Sequence, residues 1–430
     1  MTVNMIRPPQ CSRYQLDVEY SQWRLTCDLM NYLITNYSHH KLVVYEFHNI
    51  IERFLMAMCN SSLRSRLQSP WTVYYHLTRT DPFVEQLHDE LTNKCGVGKM
   101  AENIVEYIVY TINSFISKPP PKYEKVGVIK IYRHRMSYRS FMIDLTPLQI
   151  AKLKRHLRRD MMCMVIRYGA IIIKSQQWSV PLTLINTLYT NYNVRFEAFA
   201  SPINNFLGDY KNAEYCSLFE DDQKFGSIGN IFDISMSSPL DGVKLDSTGW
   251  IVHPPYIPEI MCRAVDKINE GISNAKLRGA KMFVVLIIPY WPESEVYRKA
   301  KFSKHSYTEI VMTRHTHFYE NHGRYINSSF DTAMFIFDDE KKDIVQYADI
   351  IGSVYIKNIP NKVNIPKSLK MLMNNNYQQI TMKDKDDDTN TVVLNPHSTN
   401  RMTWRSKYNR ENEHYVVRNK DISPLIVKII

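Results

Sequence analysis

The residues with the clearest chemical potential are His253-Pro254-Pro255-Tyr256, which end the apolar stretch GWIVHPPY. An amino group on an aromatic ring is a poor nucleophile, because its lone pair is delocalised into the ring. A site that acts on it must therefore orient it. A neutral His253 can accept one hydrogen bond, Pro254-Pro255 can present a main-chain carbonyl, and the Tyr256 ring can stack on a base. By itself the tetrapeptide favours a plain turn after a strand, and a site for an amino-bearing base is the alternative.

The composition is that of a basic globular protein. The chain has 430 residues, of which 44% are hydrophobic and 12% aromatic, enough for two or three domains with buried cores. Only 13 glycines are present, and none forms a glycine-rich phosphate loop. The net charge of +11 favours an anionic partner such as nucleic acid.

The cysteines and the hydropathy of the sequence limit which cellular compartments and which metal sites are expected. Seven scattered cysteines with no C-x-x-C pair argue against disulfides and structural zinc, and favour the cytoplasm or nucleus. His315, His317 and His322 lie close together but have no partner at ligand spacing, so no metal site is predicted. No apolar run approaches the roughly 20 residues that span a bilayer, and the N-terminus has no apolar region, so neither a membrane partner nor a secretory signal is expected.

The pattern of apolar residues divides the chain into four predicted parts. Residues 1–120 are predicted to form an all-helical domain, since apolar residues recur at three- and four-residue spacings. The prolines of KPPPKY end it and begin a basic connector of strands and a helix, 121–161. An α/β domain, 162–345, and a partly irregular C-terminal extension, 346–430, follow. The predicted helices are 21–37, 42–60, 82–93 and 101–116, and the predicted connector strands are 126–132 and 140–145.

Short apolar segments then alternate with amphipathic ones as far as residue 338. This alternation predicts a mostly parallel, doubly wound sheet with helices on both faces. The predicted strands are 165–173, 194–200, 230–234, 250–253, 282–289 and 333–337. The predicted helices are 181–192 and 257–277, the second of which has Pro258 and Glu259 in its first turn.

Basic residues are concentrated in and beside the connector. Arginine and tyrosine are interleaved in YRHRMSYR, and the helix predicted after Pro147 carries further lysines and arginines. Basic side chains release counterions from RNA and tyrosines stack on bases, so we predict an RNA-binding groove, with a solvated charged face as the alternative. The predicted RNA-binding residues are Arg133, Arg135, Arg155, Arg158 and Arg159. The stretch RMTWRSKYNR, 401–410, is either a mobile tail or a second RNA contact.

Four motifs between Val194 and Trp291 resemble the phosphorylated C-terminal-domain-interacting factor family. They are FEAFASPINNF, YCSLFEDDQKFGSIGNIFD, GWIVHPPYIPEIM and FVVLIIPYW, in that order. The family pattern is close to FECFASPLN, YCSxFPDTDxxFGSxG, NPPF and FIVFIPEW. The helical N-terminal third also fits the family's layout. The WW domain of animal members is not expected here, because no tryptophan pair has the required spacing and closing proline.

The resemblance implies a Rossmann-like methyltransferase core that uses S-adenosyl-L-methionine to methylate the 6-amino group of the cap-proximal adenosine of mRNA. Capped RNA would lie in a basic groove between the helical and α/β parts of a monomer, with RNA polymerase or the capping machinery as further partners. A composition rich in Asn, Ile, Lys and Tyr would suit an AT-rich genome, including that of a large DNA virus. The implied catalytic residues are His253, Pro254, Pro255 and Tyr256, and the implied cofactor contacts are Phe199, Ala200, Ser201, Pro202 and Asn204. The alternative for the second set is a strand-ending turn in which Asn204 caps a helix.

Three departures from the family pattern keep a second function open. His253 stands in place of Asn, Tyr290 in place of Glu, and YGAIIIKSQQWSVP lacks the family's glycines and acid. A catalytically inactive RNA-binding or scaffold protein in mRNA capping or transcription is therefore the rival to a methyltransferase. If His253 holds the amine with an ordinary imidazole pKa, methyl transfer should rise between about pH 6 and 7.

Overall fold

The structure is a computed structural model, and it forms two compact units. The first comprises Met1–Leu145 and Leu153–Gln176, and the second Thr146–Lys152 and Gln177–Ile430. The predicted functional domains stay predictions. None of the described helices combines the length and the apolar character needed to cross a membrane. The described residues are 11–37, 41–60, 71–94, 98–120, 123, 127–132, 135–145, 149–150, 153, 158–172, 178–240, 245–305, 307–321, 324–338, 344–354, 392–393 and 427–429.

The first unit contains the predicted N-terminal helices together with a small sheet. The helices follow the apolar spacing closely, and the sheet is antiparallel in the order β1-β2-β3. The unit is therefore not all-helical. Its elements are α1 Arg13–Tyr37, α2 Lys41–Asn60, α3 Pro82–Lys94, α4 Gly98–Ile116, β1 Ile129–Ile131, β2 Arg135–Tyr138, β3 Phe141–Asp144 and α5 Arg158–Ile171.

The strand predicted at 165–173 is wrong, because those residues lie mainly in α5. The run Met161–Ile166 is buried on every side of the helix, so its sequence shows no amphipathic period that would distinguish it from a buried strand. Arg167 extends into the same interior and donates to Glu19 Oε1 of α1 from Nε at 2.9 Å and from Nη2 at 2.6 Å. This buried ion pair joins α5 to α1.

The second unit is built on a seven-stranded mixed sheet in the order β13-β8-β11-β7-β6-β4-β5. The pairs β5–β4, β4–β6 and β6–β7 are parallel, whereas β7–β11, β11–β8 and β8–β13 are antiparallel. The prediction of a mostly parallel sheet is therefore wrong for one half, where β11 lies between β7 and β8. The strands are β4 Phe196–Ala200, β5 Glu214–Ser217, β6 Ser247–Val252, β7 Lys281–Pro289, β8 Tyr307–Met312, β11 Thr332–Phe337 and β13 Val427–Ile429.

Successive residues of the central strands belong to two different apolar clusters, one for each face of the sheet. Val285 and Ile287 pack with helix α6, Leu182–Asn191, whereas Val284 and Leu286 pack with helix α7, Pro258–Leu277. Both helices lie within a residue of their predicted bounds. The remaining elements are helices α8 Glu295–Lys301 and α9 Ala348–Gly352, and a sheet of β9 Phe318–Asn321, β10 Arg324–Asn327 and β12 Val392–Val393.

One further predicted strand in this unit is wrong for a local reason. Residues 230–234 form a short 3-10 turn, Ile231–Asp233, which Asn230 caps by accepting the N–H of Phe232 at 3.0 Å. The neighbouring strand β5 was not predicted, because it has only four residues. Gly249 allows β6 to lie close to the start of β4. A Cβ added at this position would stand 2.7 Å from the carbonyl oxygen of Asn193 and 2.8 Å from the Cα of Val194, which is too close for any other residue without a shift of the backbone.

Candidate functional site

The two predicted site segments leave the sheet on neighbouring parallel strands. In the β4–β6 ladder, Phe196 pairs with Trp250 and Glu197 with Ile251. Phe199 and His253 each lie three residues beyond the first of these pairs, so both segments emerge from the carboxyl edge. The chain continues from β4 to β5 on one side and places β6 on the other. In open α/β sheets, ligands bind at the carboxyl edge where the strand order changes direction in this way.

His253 is partly buried at this edge, and its ring is held from two sides. Its Nε2 lies 2.9 Å from the hydroxyl oxygen of Tyr256, and its ring stacks on Tyr319 at 5.4 Å between centroids with planes 9° apart. Burial lowers the pKa of His253 from 6.5 to about 4. The imidazole is therefore neutral at neutral pH, and the rise in activity predicted between about pH 6 and 7 should instead lie near pH 4.

Tyr319 is the centre of an aromatic cluster around His253 that the sequence did not predict. The Trp178 ring stacks on Tyr319 at 5.4 Å, and Phe330 lies edge-on to Tyr256 at 5.5 Å. Burial raises the pKa of Tyr319 to about 12 and that of Tyr256 well above its ordinary value, so both phenols keep their protons. The Trp178 Nε1 is buried and has no hydrogen-bond partner among the described residues.

The segment after β4 forms a tight polar turn. Ser201 donates to Asn204 Oδ1 twice, from its backbone N–H at 2.7 Å and from its hydroxyl at 3.0 Å. The N–H of Ile203 returns a hydrogen bond to Ser201 Oγ at 3.2 Å. Ser201 and Pro202 are buried, whereas Phe199, Ala200 and Asn204 are partly exposed at the edge. The turn itself uses these polar groups, and Asn204 does not cap a helix, since the next helical turn is the 3-10 turn Leu207–Asp209 with Phe206 as its N-cap.

The predicted RNA-binding arginines belong to the first unit and differ in their surroundings. Arg135 is paired with Asp144, its Nε 2.6 Å from Oδ1, and both side chains are exposed. Arg159 donates from Nη1 to the carbonyl oxygen of Cys11 at 3.1 Å. Arg158 is exposed at the start of α5. Arg133, Arg155 and residues 401–410 lie outside the described residues, so their predicted roles stay predictions.

Metal binding is not indicated by the part of the chain that the structure describes. No group of three or more His, Cys, Asp or Glu side chains there could hold an ion. The six described cysteines are free thiols. His317 takes part in hydrogen bonds, since its Nε2 lies 2.8 Å from Thr332 Oγ1. His317 lies one residue before β9 and Tyr319 lies within it. Their two-residue spacing is the sequence signal that could have placed both side chains on one side of a strand.

The part of the chain that contains both site segments is similar to known proteins. A family model described as phosphorylated CTD interacting factor 1 WW domain matches residues 138–322. The mRNA (2'-O-methyladenosine-N(6)-)-methyltransferase of Mus musculus is 27% identical over 156 residues, which are 35% of this chain and 19% of that protein. The enzyme of the same name from Homo sapiens is 24% identical over 214 residues, 47% of this chain and 27% of that protein. The similarity thus spans about a quarter or less of these relatives. Residues 138–322 of this chain are thus similar to the phosphorylated CTD interacting factor 1 family.

Proposed function

We propose that this protein is an S-adenosyl-L-methionine-dependent RNA methyltransferase that acts on the 6-amino group of the cap-proximal adenosine of capped mRNA. The observation that carries the proposal is a neutral imidazole, His253, held at the carboxyl edge of β6 in the position of the family's amine acceptor. The names of the two relatives support the reaction class. Strand order and the helices on both faces support a Rossmann-like, doubly wound core.

The residues at the edge can orient an adenine. His253 accepts one N–H of the amino group, and a main-chain carbonyl accepts the other. Pro255 O already accepts the N–H of Ile257 at 2.7 Å, so we assign this role to the carbonyl of Pro254. The Tyr256 ring stacks on the base. Orientation and stabilisation of the charge that develops on nitrogen are the expected sources of rate enhancement.

The edge also has features that fit a cofactor. The buried Trp178 Nε1–H is a donor without a described partner, and the rings of Trp178 and Phe330 provide apolar walls. Phe199, Ala200, Ser201, Pro202 and Asn204 would border the same site from β4. When bound, S-adenosyl-L-methionine supplies the electrophilic methyl group.

The proposed partners follow from charge and family. Capped RNA would bind the exposed arginines of the first unit, Arg158 foremost, and RNA polymerase or the capping machinery would be further partners. We propose a monomer that works in the cytoplasm or nucleus, or in a virus-infected cell.

The rival function is a catalytically inactive RNA-binding or scaffold protein. One observation favours it: Ser201 and Asn204 bond to each other, so the turn that would meet the cofactor is already satisfied internally. Such a protein would keep the sheet and the basic residues but would bind no cofactor.

Calorimetry with S-adenosylhomocysteine and methyl transfer to capped RNA separate the two functions. The parent should bind the ligand and methylate RNA that begins with 2′-O-methyladenosine, but not the same RNA beginning with guanosine. His253→Ala should bind the ligand and lose about 10²-fold or more in rate, whereas His253→Asn should keep activity. If an excess of S-adenosylhomocysteine gives neither heat of binding nor thermal stabilisation, the methyltransferase hypothesis is rejected and the scaffold hypothesis remains.

A further inference from the structure

A continuous chain of hydrogen bonds runs from His253 into the interior of the second unit. His253 Nε2 lies 2.9 Å from the Tyr256 hydroxyl, which lies 3.0 Å from that of Tyr319. Tyr319 is 2.9 Å from Thr332 Oγ1, and Thr332 is 2.8 Å from His317 Nε2. The other nitrogen of His317, Nδ1, lies 3.0 Å from the carbonyl oxygen of Thr313 and ends the chain.

The carbonyl at the far end determines the direction of every bond. A carbonyl oxygen only accepts, so His317 Nδ1 carries the proton and, in the neutral ring, His317 Nε2 is an acceptor. Thr332 must therefore donate its single hydroxyl proton to His317 Nε2. This leaves Thr332 Oγ1 to accept from Tyr319.

The same reasoning continues outward to His253. Tyr319 has used its proton, so it accepts from Tyr256, and Tyr256 in turn accepts from His253. His253 Nε2 must then carry the ring proton. The second ring nitrogen, Nδ1, is left as a lone-pair acceptor, and among the described residues it has no hydrogen-bond partner.

Burial keeps the chain in this state. Thr332 is fully buried and His317 is 1% exposed, so no solvent competes for their protons. Burial, opposed by the bond to the Thr313 carbonyl, lowers the pKa of His317 to about 4, which keeps the ring neutral.

We propose that Tyr319, Thr332 and His317 are positioning residues that fix His253 in the Nε2–H tautomer, so that its Nδ1 is the atom that accepts an N–H of the target amino group. The identity of that amino group rests on the proposed function, but the tautomer does not. Free histidine populates both neutral tautomers, and the one with the proton on Nδ1 would present a donor to an amine. The chain of hydrogen bonds thus gives the imidazole of His253 the acceptor character of the Asn side chain in the family pattern.

Nitrogen-15 NMR of the ring of His253 tests the tautomer without any assay of activity, since protonated and unprotonated imidazole nitrogens differ in chemical shift. In the full-length parent, Nε2 should be protonated and Nδ1 unprotonated. Thr332→Val leaves Tyr319 without an acceptor, so the bonds can reverse and His253 should gain the Nδ1–H tautomer. Thr332→Ser keeps the hydroxyl and should behave as the parent. An unprotonated Nε2 in the parent, or equal spectra for Thr332→Val and Thr332→Ser, would overturn the proposal.

Kinetics tests the consequence. Thr332→Val should lower kcat by on the order of 10²-fold while Thr332→Ser does not, because a misdirected hydrogen bond removes an orienting group. In a His253→Asn background the Val and Ser variants should have equal rates, since an amide has no tautomer to set. A Val effect that persists undiminished in that background would assign Thr332 a merely structural role. A parent that transfers no methyl group would reject the proposed function, and the spectra would still decide the tautomer.

Discussion

Glu320 provides a test of the fold around the site that does not depend on the proposed reaction. It lies in β9 next to Tyr319, and its main chain pairs with Ser179 through N–O distances of 2.8 and 2.9 Å. Its carboxylate accepts the backbone N–H of Leu182, at the start of α6, at 3.3 Å. Burial raises the pKa of Glu320 from 4.5 to about 7, against the opposing effect of that N–H. The replacement Glu320→Gln keeps an oxygen for Leu182 and removes the titration.

The sign and size of the effect follow from the two pKa values. Because the folded state holds the proton more tightly than the unfolded state, Glu320 contributes stability that is fully present below about pH 4.5. This stability is lost as the pH rises through about 7. A difference of about 2.5 in pKa corresponds to roughly 3 kcal/mol at 1.36 kcal/mol for each pKa unit. The Gln variant should therefore gain up to about 3 kcal/mol over the parent between pH 5 and 8.

Urea unfolding of both proteins at several pH values measures this difference. The buried histidines have the opposite pH dependence, since a lowered histidine pKa makes stability fall as the pH drops from 6.5 towards 4. They are present in both proteins, so they cancel in the comparison. A stability difference for Glu320→Gln that does not change with pH would refute the reasoning.

Three further predictions test the site, the first unit and the RNA contact. Methyl transfer by the parent should be flat between about pH 6 and 8 and should fall only towards about pH 4, where His253 gains a proton, whereas His253→Asn should lack that fall in initial-rate profiles. Arg167→Leu leaves Glu19 as a buried charge without its ion-pair partner and should destabilise the protein by about 3 to 5 kcal/mol in urea unfolding. The control Arg24→Ala breaks the exposed pair with Asp28 and should change the free energy of unfolding by less than about 1 kcal/mol. Arg158→Ala should weaken binding to an RNA oligonucleotide and lower the slope of log affinity against log salt by about one, while Arg135→Ala should do less because Asp144 already neutralises that side chain.

Local patterns predicted the helices that are buried on one side and the strands that contain short apolar runs. Helices α6 and α7 lie within a residue of their predicted bounds because their apolar residues repeat with the helical period, and strands β6 and β7 lie within a few residues of theirs because their apolar runs are short. The same reasoning failed for α5, which is buried all round and carries Arg167 inside. An apolar segment with no polar face shows no periodicity from which a helix could be distinguished from a strand. Only the ion pair between Arg167 and Glu19, 148 positions apart, indicates that α5 is an interior helix.

The site was predictable only as far as its own chain segment. Four adjacent residues identified the edge of β6, and the parallel ladder places the segment after β4 beside it. Tyr319 and Thr332 could not be found in this way, because they reach His253 from other strands and form no motif with it. The spacing of His317 could place it on the same side of a strand as Tyr319, but nothing in the sequence indicated that it bonds to a threonine and a carbonyl. The lowered pKa of His253 likewise depends on burial by side chains distant in sequence.

The hydrogen bond between His253 and Tyr256 changes the meaning of the departures from the family pattern. Taken one at a time, His for Asn replaces a carbonyl acceptor by a ring whose acceptor nitrogen depends on the tautomer, and Tyr for Phe adds a hydroxyl group that stacking does not need. In the proposed arrangement that hydroxyl accepts a hydrogen bond from His253 Nε2 and donates one to Tyr319, so it transmits to His253 the bond direction that the Thr313 carbonyl sets. A phenylalanine at 256 would leave the imidazole free to present a donor. The substitutions at positions 253 and 256 therefore act together, because the Tyr256 hydroxyl allows His253 to serve as an acceptor. Tyr256→Phe should accordingly reduce methyl transfer in the parent but have little effect in the His253→Asn variant, which restores the family's own pair. An equal loss in both backgrounds would show that the hydroxyl serves only the packing of the aromatic cluster.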